Sequence, residues 1–324
     1  MSILPTVVCV KLIQITRASI YQISDADRQR INLLYERLGP TPKLTIDFFH
    51  ELDSLIQFEN DVQNEIKGLT SESLERIFDD SNSLKMDQLS HKICLLSRNN
   101  LENVASLPIV GPITSYVHSR LVCRLRTVER REQVRLYKRF AKTSDSRALA
   151  GIAFEAAGQA MLQDGMDLQL VPMWHHPATK RIPLPPWHSS HVLQHVAQLE
   201  QLRQNALGKT LSLEVRPSRI LEYTDNGPLS IEANVFYLPE MSNQVAFDAF
   251  ILLNGILYLF QFTIGDHHDF KPGLKNFFAT CNGIPAMEHW RLVFLIPPNH
   301  TLVAPQPWFL DIRAIRFYSA IVAL

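Results

Sequence analysis

Residues Asn243–Leu274 read NQVAFDAFILLNGILYLFQFTIGDHHDFKPGL. Two strand-like runs, Ala246–Leu253 and Ile256–Ile264, flank Asn254-Gly255. Asn and Gly tolerate the positive φ that a two-residue hairpin turn demands, so the spacing predicts a β-hairpin. Both runs are strongly apolar, as expected of strands in the middle of a sheet covered on both sides. Asp248 near the start of the first run and Gln261 near the end of the second interrupt the apolar pattern. Antiparallel pairing makes these positions neighbours. Alternation then sends Gln261 and Thr263 to one face and Phe260 and Phe262 to the other. A carboxylate, an amide and a hydroxyl in apolar strands are costly unless paired or functional.

The chain outward from the hairpin predicts more strands: Leu211–Val215, Ile220–Tyr223 and Ala233–Leu238 before it, Arg291–Ile296 and Ile315–Ser319 after it. Pro272 suits a first helical turn, so Lys271–Thr280 is expected to be a helix. Upstream, Ser144 or Asp145 caps a helix that Gly165 ends. Leu149, Ile152, Ala153, Ala156 and Ala160 form its buried stripe, with Glu155 at the stripe's edge.

A helix with the wording Gly151-Ile152-Ala153-Phe154-Glu155, then a strand Asp, then a polar-x-polar triplet, resembles the PD-(D/E)XK restriction-endonuclease-like fold. The GxxFE helix, the Gln261-Phe262-Thr263 triplet, the following His and the Lys-Pro-Gly-Leu turn are similar to the nuclease-like region of Crinkler and retrotransposon-hot-spot-type proteins. The resemblance covers Ser144 to the end and, more loosely, the helical region before it. It implies an α+β or α/β architecture, a mainly helical region (1–143), expected as a remnant of the end of an ATPase module, followed by a restriction-endonuclease-like mixed sheet flanked by helices (144–324). It further implies a metal-dependent nuclease acting on DNA phosphodiester bonds, or a degenerate, catalytically inactive interaction module derived from a mobile element or effector. The site so implied comprises Glu155, Asp248, Gln261, Thr263 and Lys271. Glu155, Asp248 and Gln261 would hold Mg²⁺ or Mn²⁺, with the Phe262 carbonyl as a further oxygen donor.

The triplet departs from the family pattern. Its first member is Gln261 rather than an acid, and its last is Thr263 rather than the Lys that stabilises charge on the attacked phosphate. Lys271 or His268 is the candidate replacement. Loss of one such stabiliser typically costs about 100- to 1000-fold in rate. In the resembled proteins a P-loop ATPase precedes this region, so a missing ATPase domain or partner is expected. Gly208-Lys209-Thr210 does not supply a phosphate loop, because Arg203 stands where the motif needs Gly and the triplet leads from a helix into a strand. The apolar opening, with a buried strand expected over Thr6–Ile15, suggests a chain shortened at its front.

The 324 residues balance 32 Lys and Arg against 32 Asp and Glu, so net charge does not mark the whole molecule as an obvious polyanion binder. Its four cysteines form no CxxC pair and read as reduced thiols of an intracellular protein, nuclear or cytoplasmic. The apolar run Ile3–Ile15 is too short to span a membrane, and no membrane partner is expected. His188, His191 and His195 fall at i, i+3 and i+7 of an expected helix without a fourth ligand, and surface or core positions explain them better than a metal. Val171–Pro186, rich in proline, reads as an ordered loop.

Helices are expected over Ser24–Leu38, Thr45–Lys67, Thr70 to about Phe78, and Ile113–Ala141; Met86–Arg98 fits strand or helix. Between Asp47 and Asp87 eleven acidic residues face three basic ones; between Arg120 and Arg147 ten basic face three acidic. These balances, −8 and +7, predict that the basic helix packs on the acidic ones, with a phosphate-backbone contact surface as the competing reading.

Overall fold

Chain segments that alternate every 3.6 residues come first, and those that alternate every second residue come after. The computed structural model describes residues 24–39, 45, 47–49, 51–82, 92–98, 108–143, 146–173, 210–223, 228–239, 247–265, 274–298, 300, 302 and 315–324. They form two units, Met1–Ala156 with Met241–Asn243 and Ala157–Glu240 with Gln244–Leu324, and the division falls inside one helix. The expected strand Thr6–Ile15, the His188–His195 helix, His268 and Lys271 lie outside the described residues.

In the first unit, α1 (Asp25–Leu38) starts at a capping box in which the Ser24 side chain accepts from the Asp27 amide and Asp27 reaches back to the Ser24 N–H. Two helices follow, α2 (Leu52–Lys67) and α3 (Ser71–Asn82), the latter capped by Thr70 Oγ1, which accepts from the Ser73 amide at 3.1 Å. A small antiparallel hairpin joins β1 (Cys94–Arg98) to β2 (Pro108–Pro112). Then come α4 (Ser115–Arg126), α5 (Arg130–Phe140) and the first part of α6 (Arg147–Asp164). The helix expected over Thr45–Lys67 is interrupted: Thr45, Asp47 and Phe48 are helical, Phe49 and Glu51 are not, and the regular helix runs from Leu52; β2 had no counterpart in the expectation.

The single long helix expected over Ile113–Ala141 is two helices. The break has a physical cause in Gln133. Its buried amide nitrogen donates to the carbonyls of Leu125, Arg126 and Val128 at 2.8, 3.3 and 3.0 Å. It thereby supplies donors to carbonyls at and just past the end of α4, where the helical ladder stops, the Leu125 carbonyl also accepting from the Val128 amide. The acidic and basic helices do pack together: α4 contacts α1 and α2, and α5 contacts α3. Arg135 Nη1 meets Glu75 at 2.8 Å, and Arg124 Nε donates to the Leu69 carbonyl at 2.9 Å.

The second unit is a mixed α+β arrangement built on an eight-stranded sheet. Its strands are β3 (Met166–Pro172), β4 (Leu211–Val215), β5 (Arg219–Tyr223), β6 (Val235–Pro239), β7 (Ala249–Leu253), β8 (Ile256–Phe262), β9 (Trp290–Ile296) and β10 (Arg316–Ile321), in the spatial order 4-3-10-9-8-7-6-5. β6, β7 and β8 form an antiparallel meander; β9 runs parallel to β8 and β10 parallel to β9, with the short helix α7 (Leu274–Ala279) between β8 and β9. One face carries a dense aromatic cluster in which Tyr237 stacks on Phe250 at 4.6 Å and Phe278 meets Trp290 edge-on at 4.9 Å. The expected strands are all present, with ends moved by a few residues. β3, in contrast, was not expected. Its start lies immediately after α6, and its end takes up the first residues of the supposed Val171–Pro186 loop. No helix among the described residues is long and apolar enough to cross a membrane.

Candidate functional site

The turn at Asn254-Gly255 has φ of 51° and 75°, as a two-residue hairpin requires. It fixes the register Leu253↔Ile256 through Ala249↔Phe260, and Asp248 and Gln261 follow as the next pair. There the regular ladder ends. The Asp248 amide still donates to the Phe260 carbonyl at 2.7 Å, but the Asp248 side chain replaces the next backbone acceptor. Its Oδ2 accepts from the Phe262 amide at 2.7 Å and from Gln261 Nε2 at 2.8 Å. A carboxylate facing an amide group attracts its NH₂ end and repels its oxygen, which accounts for the orientation of Gln261. Charge-assisted bonds of this kind are the stronger ones.

The neighbours extend the pattern. Gln159, on the part of α6 that belongs to this unit, donates through Nε2 to the Asp248 carbonyl at 3.2 Å. Thr263 donates its amide to the Leu295 carbonyl at 3.0 Å, and its Oγ1 accepts from the Gly265 amide at 3.1 Å. Gln261 and Thr263 are both only 8% exposed. Phe262 turns to the opposite face, where it lies over Gly158. A Cβ at Gly158 would fall within 2.7 Å of Phe262 Cδ1, so only glycine lets helix and strand approach this closely.

Glu155 lies in the first unit. Its Oε2 stands 3.1 Å from His118 Nε2, on α4, and the carboxylate is largely covered. This partner is 37 positions away in sequence and carried no signal there. The structure thus brings Asp248 and Gln261 into direct contact, gives Thr263 a local backbone partner, and gives Glu155 a histidine. Gln159, which the sequence reading gave no role, contributes as well.

At Oδ2 the Asp248 arrangement offers a divalent cation no open donor. Such ions take oxygen donors, whereas Oδ2 of Asp248 is occupied by two N–H groups and Gln261 presents its nitrogen. Among the described residues no group of three or more His, Cys, Asp or Glu side chains is placed to hold a metal ion.

Comparison with known protein families gives a match over residues 7–170, just over half of the 324-residue chain, to the family described as retrotransposon hot spot protein, P-loop domain. The chain belongs to the retrotransposon hot spot protein family. The part of this retrotransposon hot spot protein that matches includes all the described helices of the first unit and continues to β3. It overlaps the nuclease-resembling region only over residues 144–170. The phosphate-loop pattern G-x-x-x-x-G-K-[S/T] does not occur within the matched residues. No curated protein and no solved structure matches the chain.

Proposed function

We propose that the sheet unit is a restriction-endonuclease-like core whose catalytic position has become a packing position, and that it serves as a non-catalytic interaction module. The nuclease-like part of this reading is supported by topology. Among the described residues six strands, β3 to β8, lie between α6 and α7; the last three form the meander, and β9 returns parallel to β8, so the order helix, three strands, helix, strand that the resemblance calls for is present with β3, β4 and β5 added ahead of the meander. The non-catalytic part rests on one observation: Oδ2 of Asp248 holds the Phe262 and Gln261 N–H groups in the place where the resemblance calls for a metal ligand. Buried hydrogen bonds to a charged group contribute roughly 1.5–3 kcal/mol each, enough to retain the acid for folding alone.

The test is cleavage of supercoiled plasmid and of single-stranded DNA with Mg²⁺, with Mn²⁺ and with EDTA, by wild type, Asp248→Asn and Glu155→Gln. The expected result is no cleavage above the EDTA background by any of the three. Metal-dependent nicking by the wild type that vanishes in Asp248→Asn, with the melting temperature retained, would establish a working DNA nuclease and overturn the proposal. Loss in Glu155→Gln as well would assign Glu155 to the same reaction.

A further inference from the structure

The helix α5 buries Gln133, Leu136 and Phe140, spaced i, i+3 and i+7, and so turns a definite opposite face outward. That face carries Arg131, Arg135 and Lys138, and Lys142 continues the line just past the helix end. The four positions follow i, i+4, i+7 and i+11, one side of a helix, and all four side chains are exposed. At 1.5 Å per residue the line is about 16 Å long. Arg135, within the line, is neutralised: it binds Glu75 and Glu132, each at 2.8 Å, and Arg139 beside it approaches the same Glu75 at 3.6 Å. The other three are not. Arg131, Lys138 and Lys142 have no hydrogen-bond or ion-pair partner among the described residues, although Arg131, after the hydrogen bond from Arg135, stands close enough to Glu132 to favour its charged form. The pairing of acidic and basic helices therefore absorbs part of the basic charge and leaves an ordered remainder.

We propose that this outer face of α5 binds the phosphate backbone of duplex DNA. Charge complementarity carries the inference, because a straight line of cations on a rigid helix matches a rigid rod bearing one charge per about 1.7 Å. The composition of the face selects among polyanions. Tyr137, the aromatic residue nearest to it, packs on Phe154 with ring centroids 5.5 Å apart, so the face offers no stacking platform of the kind single strands use. It has no Asn, Gln, Ser or Thr to read base edges or 2′-hydroxyls, which argues for sequence-independent contact with DNA rather than RNA. It has no exposed apolar side chain with which to enter a lipid surface. The inference is independent of the reading of the sheet unit, since it concerns binding in the absence of metal.

The experiment is fluorescence anisotropy of a labelled duplex DNA of about 30 base pairs, a span of several helical turns, titrated with the full chain in EDTA at several salt concentrations. Wild type is compared with the triple variant Arg131→Gln, Lys138→Gln, Lys142→Gln, its charge-reversed Glu counterpart, and the control Arg28→Gln, Lys67→Gln. Circular dichroism verifies that each is folded. Each lost phosphate contact lowers the slope of log K against log salt by about 0.9, so the triple Gln variant should lose about 2.7 of the wild-type slope. Charge reversal should weaken binding further, and the control should keep the wild-type slope to within one contact. The proposal is overturned if the wild type does not bind duplex DNA at low salt or if the triple variants bind as the wild type does. It is equally overturned if single strands, duplex RNA or acidic vesicles compete better than duplex DNA.

Discussion

Asp248 and Gln261 show how far single residues can be read from a sequence. A two-residue turn fixes the register, strand parity fixes the face, and a carboxylate beside an amide among apolar neighbours must find donors. Those three constraints were enough to foresee their contact. They could not reveal that the Phe262 amide would be the second donor, because that depends on the ladder ending at Ala249. Nor could they reveal the pairing of Glu155 with His118, which tertiary packing alone creates. The role of Asp248 as an acceptor makes a specific prediction. Asp248→Asn keeps one oxygen for the Phe262 amide and should cost under about 1.5 kcal/mol, whereas Asp248→Leu strands both donors and should cost about 2–4 kcal/mol. Urea unfolding of the two variants measures the difference; equal losses would mean that shape, not hydrogen bonding, holds the site. Cys94 offers a second test. Burial pushes its thiol from an ordinary 9.0 up to about 12. The folded thiol thus resists ionisation, and its contribution to stability is fully present below pH 9.0 and is lost as the pH rises from there toward about 12. At pH 8 Cys94 should escape a thiol reagent in the native protein and react only in denaturant, as peptide mapping would show.

At the scale of elements, periodicity located every strand of the sheet except β3, and that miss is instructive. Asp167-Leu168-Gln169-Leu170-Val171 alternates cleanly, with Leu168 and Leu170 buried. The proline-rich segment that follows obscured a signal that was there to be read. The break between α4 and α5 is different in kind. Both halves carry helical patterns, and Thr127-Val128-Glu129 contains no glycine or proline to announce a stop. The stop is written in Gln133, whose side chain reaches back to three carbonyls. Gln133→Leu has a similar size but no donor, so it should cost roughly 1–3 kcal/mol; a loss below 0.5 kcal/mol, about the scale of an ordinary surface change, would remove Gln133 from that role. The contact of α6 with β8 makes the complementary prediction. Gly158→Ala must displace the Phe262 ring or the helix, and overpacking of this sort costs typically about 1–3 kcal/mol. Combining it with Phe262→Leu, which vacates the ring, should recover part of that loss, a coupling that a double-mutant cycle measures directly.

At the scale of the whole molecule, the charge balances of −8 and +7 gave a correct guide to which helices pack together. They gave none to the stripe left over on α5, because a sum of charges says nothing about the direction in which each one points. Two units with separate sets of contacts also make the last prediction possible. The bonds of Gln133 all end on residues 125–128, inside the first unit, and the close approach of Gly158 is to Phe262, inside the second. Chains with more than one unit commonly depart from all-or-none unfolding. Urea unfolding followed by hydrogen exchange at single-residue resolution should therefore show Gln133→Leu weakening the amides of α4 and α5 while leaving those of β7, β8 and β9 unchanged. Gly158→Ala should do the reverse. The double variant should show both losses, adding to within about 0.5 kcal/mol, as expected of sites with no shared partners. Each variant weakening all of these elements equally would mean that the continuous helix α6, which belongs to both units, makes the chain unfold as one cooperative body.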